Sequence, residues 1–181
     1  MNPEIGGPVE AAFQQTAEMV RQGHQVDTIT LDTGSEEYVK LFPGNVIALG
    51  PNYTKYRISK KLIPWLEQNC QNYDLVLVHG IWQYLATAVW WVYKRKKFPY
   101  FVYTHGSLNP WFKQAFPLKH FKKWLSWQFV DGELLHNAVG VLFTSEEERR
   151  LALGTFAPYH VNEIVVDYGT KAPPTNTETL K

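Results

Sequence analysis

Apolar and polar positions follow two periods along this chain, and the switch between them recurs. Val9, Ala12, Phe13, Thr16, Ala17 and Val20 repeat at helical spacing, with Pro8 at the front and Gly23 as a stop. The segment after Gly6-Gly7-Pro8 is therefore predicted to be a helix, and Met1 to Gly7 a loop. Gln25 to Leu31 alternates and is rich in β-branched residues, which predicts a strand. Asp32 to Gly44 is polar and irregular, and Val46 to Leu49 is a short strand closed by Gly50-Pro51-Asn52. Lys60 to Asn69 predicts a helix, with Pro64 tolerable near its start. Asp74 to His79 is a continuous apolar run ending in a polar residue, the pattern of a strand buried on both faces of a parallel sheet. Trp82 to Lys94 is helical and closes on Lys94-Arg95-Lys96-Lys97, cations that offset the negative end of the helix dipole.

The second half repeats the theme. Tyr100 to Thr104 is a strand, and Pro110 to Asn137 holds one or two helices. Leu118, Phe121, Leu125, Phe129 and Leu135 lie roughly on one face there. Ala138 to Phe143 is a buried strand. Ser145 and Glu148 have capping-box spacing, with Glu148 expected to reach back to the helix start. Glu163 to Asp167 is a last short strand. The alternation predicts an α/β fold, a Rossmann-like parallel sheet with helices on both faces. One element is missing: a βαβ unit would place a strand just before Gly6-Gly7, where only five residues stand. The expected organisation is a domain over residues 1–168, lacking its first strand, and a Thr- and Pro-rich linker over residues 169–181.

Composition narrows the function classes. The formal net charge is +1 over 181 residues, which argues against a nucleic-acid binder acting through overall charge. One cysteine, Cys70, excludes an internal disulfide and favours a reducing, cytoplasmic setting. The strongly apolar stretch Leu85 to Tyr93 is far shorter than the ~20 residues of a membrane span, and no signal-peptide pattern opens the chain. Aromatics reach 15%, including seven Trp.

Candidate chemistry follows from position. In open α/β sheets, ligands bind beyond the C-terminal ends of the strands. Two strands end there in His-Gly, at His79-Gly80-Ile81-Trp82 and at His105-Gly106-Ser107-Leu108-Asn109-Pro110-Trp111. Imidazole donates or accepts hydrogen bonds near neutral pH, and the following Gly permits close approach. The competing reading is that each His caps its own loop. Gly6-Gly7 before a helix is a candidate anion site, or equally a tight turn. There is no Walker A motif, no G-x-G-x-x-G and no zinc-ligand spacing. Phe112 to Val130 carries Lys113, Lys119, Lys122 and Lys123, interleaved with Trp124 and Trp127, and no acidic residue. Such a stretch suits an anionic membrane surface, or is a surface helix packing its aromatics on the sheet.

Taken in order, these pieces resemble the N-terminal, acceptor-side domain of GT-B fold glycosyltransferases of family 4. The resemblance rests on Gly6-Gly7-Pro8 with Glu10-Ala11-Ala12, and on Gly23-His24-Gln25-Val26 before Thr30-Leu31-Asp32. It continues through Tyr73-Asp74-Leu75-Val76, His79-Gly80-Ile81-Trp82, Pro99-Tyr100, His105-Gly106-Ser107-Leu108-Asn109-Pro110-Trp111, and Phe143-Thr144-Ser145 with Glu146-Glu147-Glu148. It implies retaining transfer of a sugar from a nucleotide-sugar to a glycan or lipid-linked acceptor, with no metal and no cofactor. On that analogy His105 is catalytic, Gly6 and Gly7 approach the donor diphosphate, and His79, Trp82, Ser107, Asn109 and Trp111 line the acceptor side. The partners implied are the two substrates, a C-terminal donor-binding domain or a split partner chain, and the inner membrane face through Lys113, Lys119, Lys122, Lys123, Trp124 and Trp127. Tyr168-Gly169-Thr170 stands where many relatives turn into that second domain. The chain alone is then expected to be inactive. The alternative is a non-catalytic binding or assembly module that kept the same fold.

Overall fold

The computed structural model describes residues 1–166, apart from the side chain of Ile5. The expected domain end at residue 168 and the linker over 169–181 lie outside the described residues. Eight α-helices and six strands alternate among the described residues. In chain order they are α1 (Gly7–Arg21), β1 (Asp27–Thr30), α2 (Glu37–Lys40), β2 (Asn45–Ala48), α3 (Leu62–Asn69), β3 (Val76–His79) and α4 (Tyr84–Lys96). Then follow β4 (Tyr100–Tyr103), α5 (Trp111–Ala115), α6 (Pro117–Ser126), α7 (Gly132–His136), β5 (Gly140–Phe143), α8 (Glu146–Ala152) and β6 (Glu163–Val165). The α/β class with parallel strands is as expected. Three local features differ from the sequence pattern. The loop Met1 to Gly7 contains a 3₁₀ turn over Pro3–Ile5, and the polar stretch after β1 folds a single helical turn, α2. The region after Pro110 breaks into three helices, with a π-helical turn over Trp127–Asp131 between α6 and α7.

The strands form two parallel sheets, β1-β2 and β3-β4-β5-β6. In the larger sheet Val78 pairs with Val102, Val102 with Val141, and Leu142 with Ile164. Val78, Tyr100, Val102, Val141 and Phe143 are fully buried, with Leu134 and Leu135 of α7 packed beside them in the same core. Each such side chain contributes about 1.5–3 kcal/mol by leaving water. The Tyr100 hydroxyl donates to the Leu134 carbonyl at 2.6 Å, so its burial strands no polar group. At the head of β5, Gly140 is required by space. A Cβ there would sit 2.5 Å from Ile164 Cδ1 and 3.0 Å from the Phe101 ring.

The apolar stripe expected after Pro110 divides. Leu135 is fully buried, whereas Leu118, Phe121, Leu125 and Phe129 face solvent. The π-helical turn adds a residue between the two groups and rotates α7 relative to α6. Trp127 falls on the inner side of that turn and is 2% exposed. It stacks on Phe156 at 5.0 Å and donates its indole N–H to the Pro158 carbonyl at 2.8 Å. Trp127 is therefore a core residue, and the expectation that it touches a membrane is corrected. Lys123 is half-buried, its ammonium 5.1 Å from the ring centres of Trp82 and Phe112. Among the described residues no helix is long and apolar enough to cross a membrane.

Candidate active site

The strand ends bring the two His-Gly segments together. His79 closes β3, and His105 stands two residues beyond β4. His79 Nδ1 lies 3.2 Å from His105 Nε2, a hydrogen bond in which one ring must donate and the other accept. The rings stack at 5.4 Å between centres, and Tyr103 stacks on both, at 5.1 Å from His79 and 5.5 Å from His105. Gln15 of α1 donates to the Tyr103 hydroxyl at 3.3 Å, which ties the first helix to this cluster. Burial pushes the His79 imidazole down to about 4, and the neighbouring His105 adds to the shift. Burial also lowers His105, partly opposed by the negative charge of Glu148. Near neutral pH the pair is uncharged and shares hydrogen-bonding protons.

The backbone at His105 is held in the left-handed region, with φ 48° for His105 and 71° for Gly106. A non-glycine residue with positive φ persists where its surroundings enforce it. Here the enforcing group is Glu148 on α8. Its Oε1 accepts from the Gly106 N–H and the Thr104 hydroxyl, both at 2.7 Å. Its Oε2 accepts from the N–H and hydroxyl of Thr144, both at 2.8 Å. Burial opposes ionisation of Glu148, but these four bonds prevail and hold the carboxyl below its ordinary value. Half of the expected capping box is formed, since Ser145 Oγ accepts the Glu148 N–H at 3.1 Å. The other half is corrected. The carboxylate bonds to Thr144 rather than to Ser145, and reaches across to the β4 loop.

Beside His105 lies an open cleft of about 430 Å³, lined by Gly7, Pro8, His105, Gly106, Asn109, Thr144, Glu147, Glu148 and Leu151. Gly7 starts α1, and Gly6 precedes it at φ 82° with its carbonyl accepting the N–H groups of Val9 and Glu10. A Cβ at either glycine would meet nothing within 4 Å, and Gly7 itself lines the cleft. The other expected residues take different places. Asn109 lines the cleft and its side chain accepts the Trp111 N–H at 2.9 Å. Ser107 lies in the loop, its N–H bonded to the Thr104 carbonyl. His79 sits behind His105. Trp82 and Trp111 are not in the lining. Trp82 packs on Phe156 at 5.2 Å and donates its backbone N–H to buried Asp131 at 3.1 Å. Trp111 is 57% exposed and packs edge-on against Phe112 and Phe116.

Two residues at the site went unnoticed in the sequence. Glu148 looked like a local cap, because its spacing from Ser145 already had an explanation. Tyr103 is the register partner of His79 across the β3–β4 pair, so reading the two parallel strands side by side could have pointed to it.

The model of the glycosyl transferase 4-like domain family matches residues 6–168, spanning the glycine turn, both His-Gly loops and Glu148. The chain belongs to that family. No curated protein and no solved structure matches it. As a glycosyltransferase family 4 domain it pairs this fold with sugar donors and acceptors in general, and the His79–His105 cluster with the Gly6-Gly7 turn is its candidate active site.

Proposed function

We propose that this chain is the acceptor-binding N-terminal half of a retaining glycosyltransferase that moves a sugar from a nucleotide-sugar to a glycan or lipid-linked acceptor. The observation that carries the reading is the cleft itself. It sets His105 and the N-terminus of α1 on one opening in a domain of this family. Helix N-terminal N–H groups favour an anion, so Gly6 and Gly7 would face the donor diphosphate. A neutral His105 can hydrogen-bond a donor-sugar hydroxyl without placing a positive charge beside a developing oxocarbenium ion. The Glu148 carboxylate supplies nearby negative charge and fixes the loop. Asn109 and Ser107 would be the polar groups on the acceptor side, with His79 behind His105; Trp82 and Trp111 stand outside the cleft lining and take no part in this reading. No metal or cofactor enters this reading.

The donor nucleotide would be held by a C-terminal domain or a partner chain, and the 181 residues alone would be inactive. The lipid-linked option is supported by the surface of α5 and α6. Residues 111–119 are all exposed, and Lys113, Lys119 and Lys122 border Leu118, Phe121, Trp124 and Leu125 on the outside. That surface suits a peripheral position on the inner, anionic membrane face. The test is a transfer assay with a panel of nucleotide-sugars, beside acceptor binding measured by calorimetry. Acceptor binding that is lost in His105→Ala, without turnover by the purified chain, supports the reading. Robust turnover by the purified chain overturns the half-enzyme assignment. Binding of neither substrate favours the assembly module.

A further inference from the structure

The turn that leaves His79 holds two residues with left-handed backbone, Gly80 at φ 94° and Trp82 at φ 67°. Glycine adopts that region freely, whereas a bulky side chain does so at a cost. Trp82 carries a second cost. Its indole N–H is buried and has no hydrogen-bond partner among the described residues. Such a conformation persists where its surroundings enforce it, and it points to a constraint set by function. The Trp82 backbone is gripped through its N–H, which Asp131 Oδ1 accepts at 3.1 Å.

Asp131 reaches this turn because the helical region after Pro110 is irregular. The π-helical turn over Trp127–Asp131 closes with the Gly132 N–H on the Trp127 carbonyl, and both of its end residues are buried. A Cβ at Gly132 would collide with that carbonyl, so glycine is what lets the turn close. Turns of this kind are rare and are frequent at functional sites. The other Asp131 oxygen accepts the Ser126 hydroxyl at 2.5 Å. Asp131 is 1% exposed. Burial raises its carboxyl above the ordinary value, although the bonds from Ser126 and Trp82 and the charge of Lys123 oppose the shift. A buried carboxyl costs more than an apolar side chain of the same size. Its place here is explained by what it holds.

The same device serves the other His-Gly segment. Glu148 holds the Gly106 N–H next to His105, and Asp131 holds the Trp82 N–H three residues after His79. Between His79 and Trp82 the chain has little freedom. The Gly80 N–H donates to the Tyr103 carbonyl at 2.9 Å, and Ile81 is buried in the core. We propose that Asp131 is a positioning residue of the candidate active site: it fixes the turn from Gly80 to Trp82 and thereby presents the His79 ring to His105. It acts through the Trp82 backbone and as a hydrogen-bond acceptor, so its charge is not what the role requires. Without that acceptor, Trp82 relaxes to negative φ and carries Ile81 and Gly80 with it. The end of β3 then opens to water, and the 3.2 Å bond between the two rings is lost. The inference rests on the reading of His79 and His105 as the reacting cluster.

The experiment uses the purified full chain, with NMR of its labelled histidine nitrogens, which report protonation and tautomer ring by ring. In wild type His79 is expected to titrate at about 4. In Asp131→Ala its titration should rise by at least one pH unit, a tenfold gain in proton affinity, and both rings should show mixed tautomers. Asp131→Asn keeps an oxygen for the Trp82 N–H and should retain the wild-type pattern. Ser126→Ala removes the other bond to the same carboxylate and should also retain it. Asp131→Ser, too short to reach Trp82, repeats the test should Asp131→Ala fail to fold. In wild type the Trp82 amide should exchange at least a hundredfold more slowly than in the unfolded chain. An unmoved His79 in Asp131→Ala or Asp131→Ser overturns the proposal. So does an equal shift in Ser126→Ala or Asp131→Asn, or an unprotected Trp82 amide. None of these readouts involves sugar transfer, so this inference and the proposed activity can fail separately.

Discussion

Glu148 on α8 accepts the Gly106 N–H at 2.7 Å, and through that bond one helix sets the loop that carries His105. The same carboxylate takes three further hydrogen bonds from Thr104 and Thr144. In Glu148→Gln an amide NH₂ replaces one oxygen, so a donor faces either Thr144 or Gly106. The expected loss is about 1–3 kcal/mol at pH 7, because bonds to a charged acceptor become unmade and their donors stay half-buried. The pH dependence has a definite sign. The folded carboxyl titrates below its unfolded value, so its stabilisation is present above the unfolded value and is lost as pH falls through the folded one. Urea unfolding of wild type and Glu148→Gln, at pH 7 and at successive points below pH 4.5, reads both effects. The difference between the two proteins should shrink with acid, and a constant difference would count against it.

The helices and strands were legible because each has its own period and its own stop. The α1 stripe ends at Gly23, and β3 reads as a buried run. The pairing of His79 with His105 was legible only as a shared location, since equivalent strand ends say nothing about a 3.2 Å contact. The role of Glu148 was hidden because a residue three positions after Ser145 already had a local explanation. Trp127 and Trp124 looked alike in sequence. The π-helical turn that begins at Trp127 directs it inward and leaves Trp124 outside, and nothing in the local spacing announces that turn.

His79 makes the acid sensitivity of this domain different in kind from that of a carboxylate. Its folded value of about 4 lies below the ordinary 6.5 of an unfolded histidine. Between those two values the unfolded chain binds a proton that the folded one refuses, so stability falls as pH drops from about 6.5 to 4 and then levels. Burial limits water near the ring, and the expected loss is on the order of 2–3 kcal/mol. In His79→Gln this component disappears, and the stability curve between pH 6.5 and 4.5 should flatten relative to wild type. Denaturant melts across that range give the measurement. Equal slopes in both proteins would show that His79 does not carry the effect.

Gly140 tests the packing of the larger sheet. An alanine methyl there meets Ile164 at 2.5 Å and the Phe101 ring at 3.0 Å, on the two strands that flank β5. Overpacking of this kind costs about 1–3 kcal/mol, against a gain of up to about 1 kcal/mol from a stiffer unfolded chain. Gly140→Ala should therefore lower the urea midpoint. A combined Gly140→Ala with Ile164→Val should recover part of the loss, since the clash is with the outermost carbon of Ile164. No recovery would place the strain on Phe101 instead.

The surface of α5 and α6 is apolar where an isolated soluble helix would be polar. Leu118 is 83% exposed and Phe121 59%, with Lys113, Lys119 and Lys122 beside them. Lys123 is excluded from this group because it is half-buried, with its ammonium over Trp82 and Phe112, whereas the other three lysines are exposed. Each lysine near an anionic bilayer contributes about 1 kcal/mol, so reversing all three to Glu should weaken vesicle binding at least 100-fold at low salt. Leu118→Ser with Phe121→Ser should weaken it by a component that salt does not change, because burial of apolar area is not screened. Co-sedimentation with vesicles of mixed neutral and anionic lipid, at 50 mM and 500 mM salt, separates the two. Binding that survives charge reversal would leave only the apolar contact. Binding that survives both sets of changes would move the membrane surface away from α6 altogether.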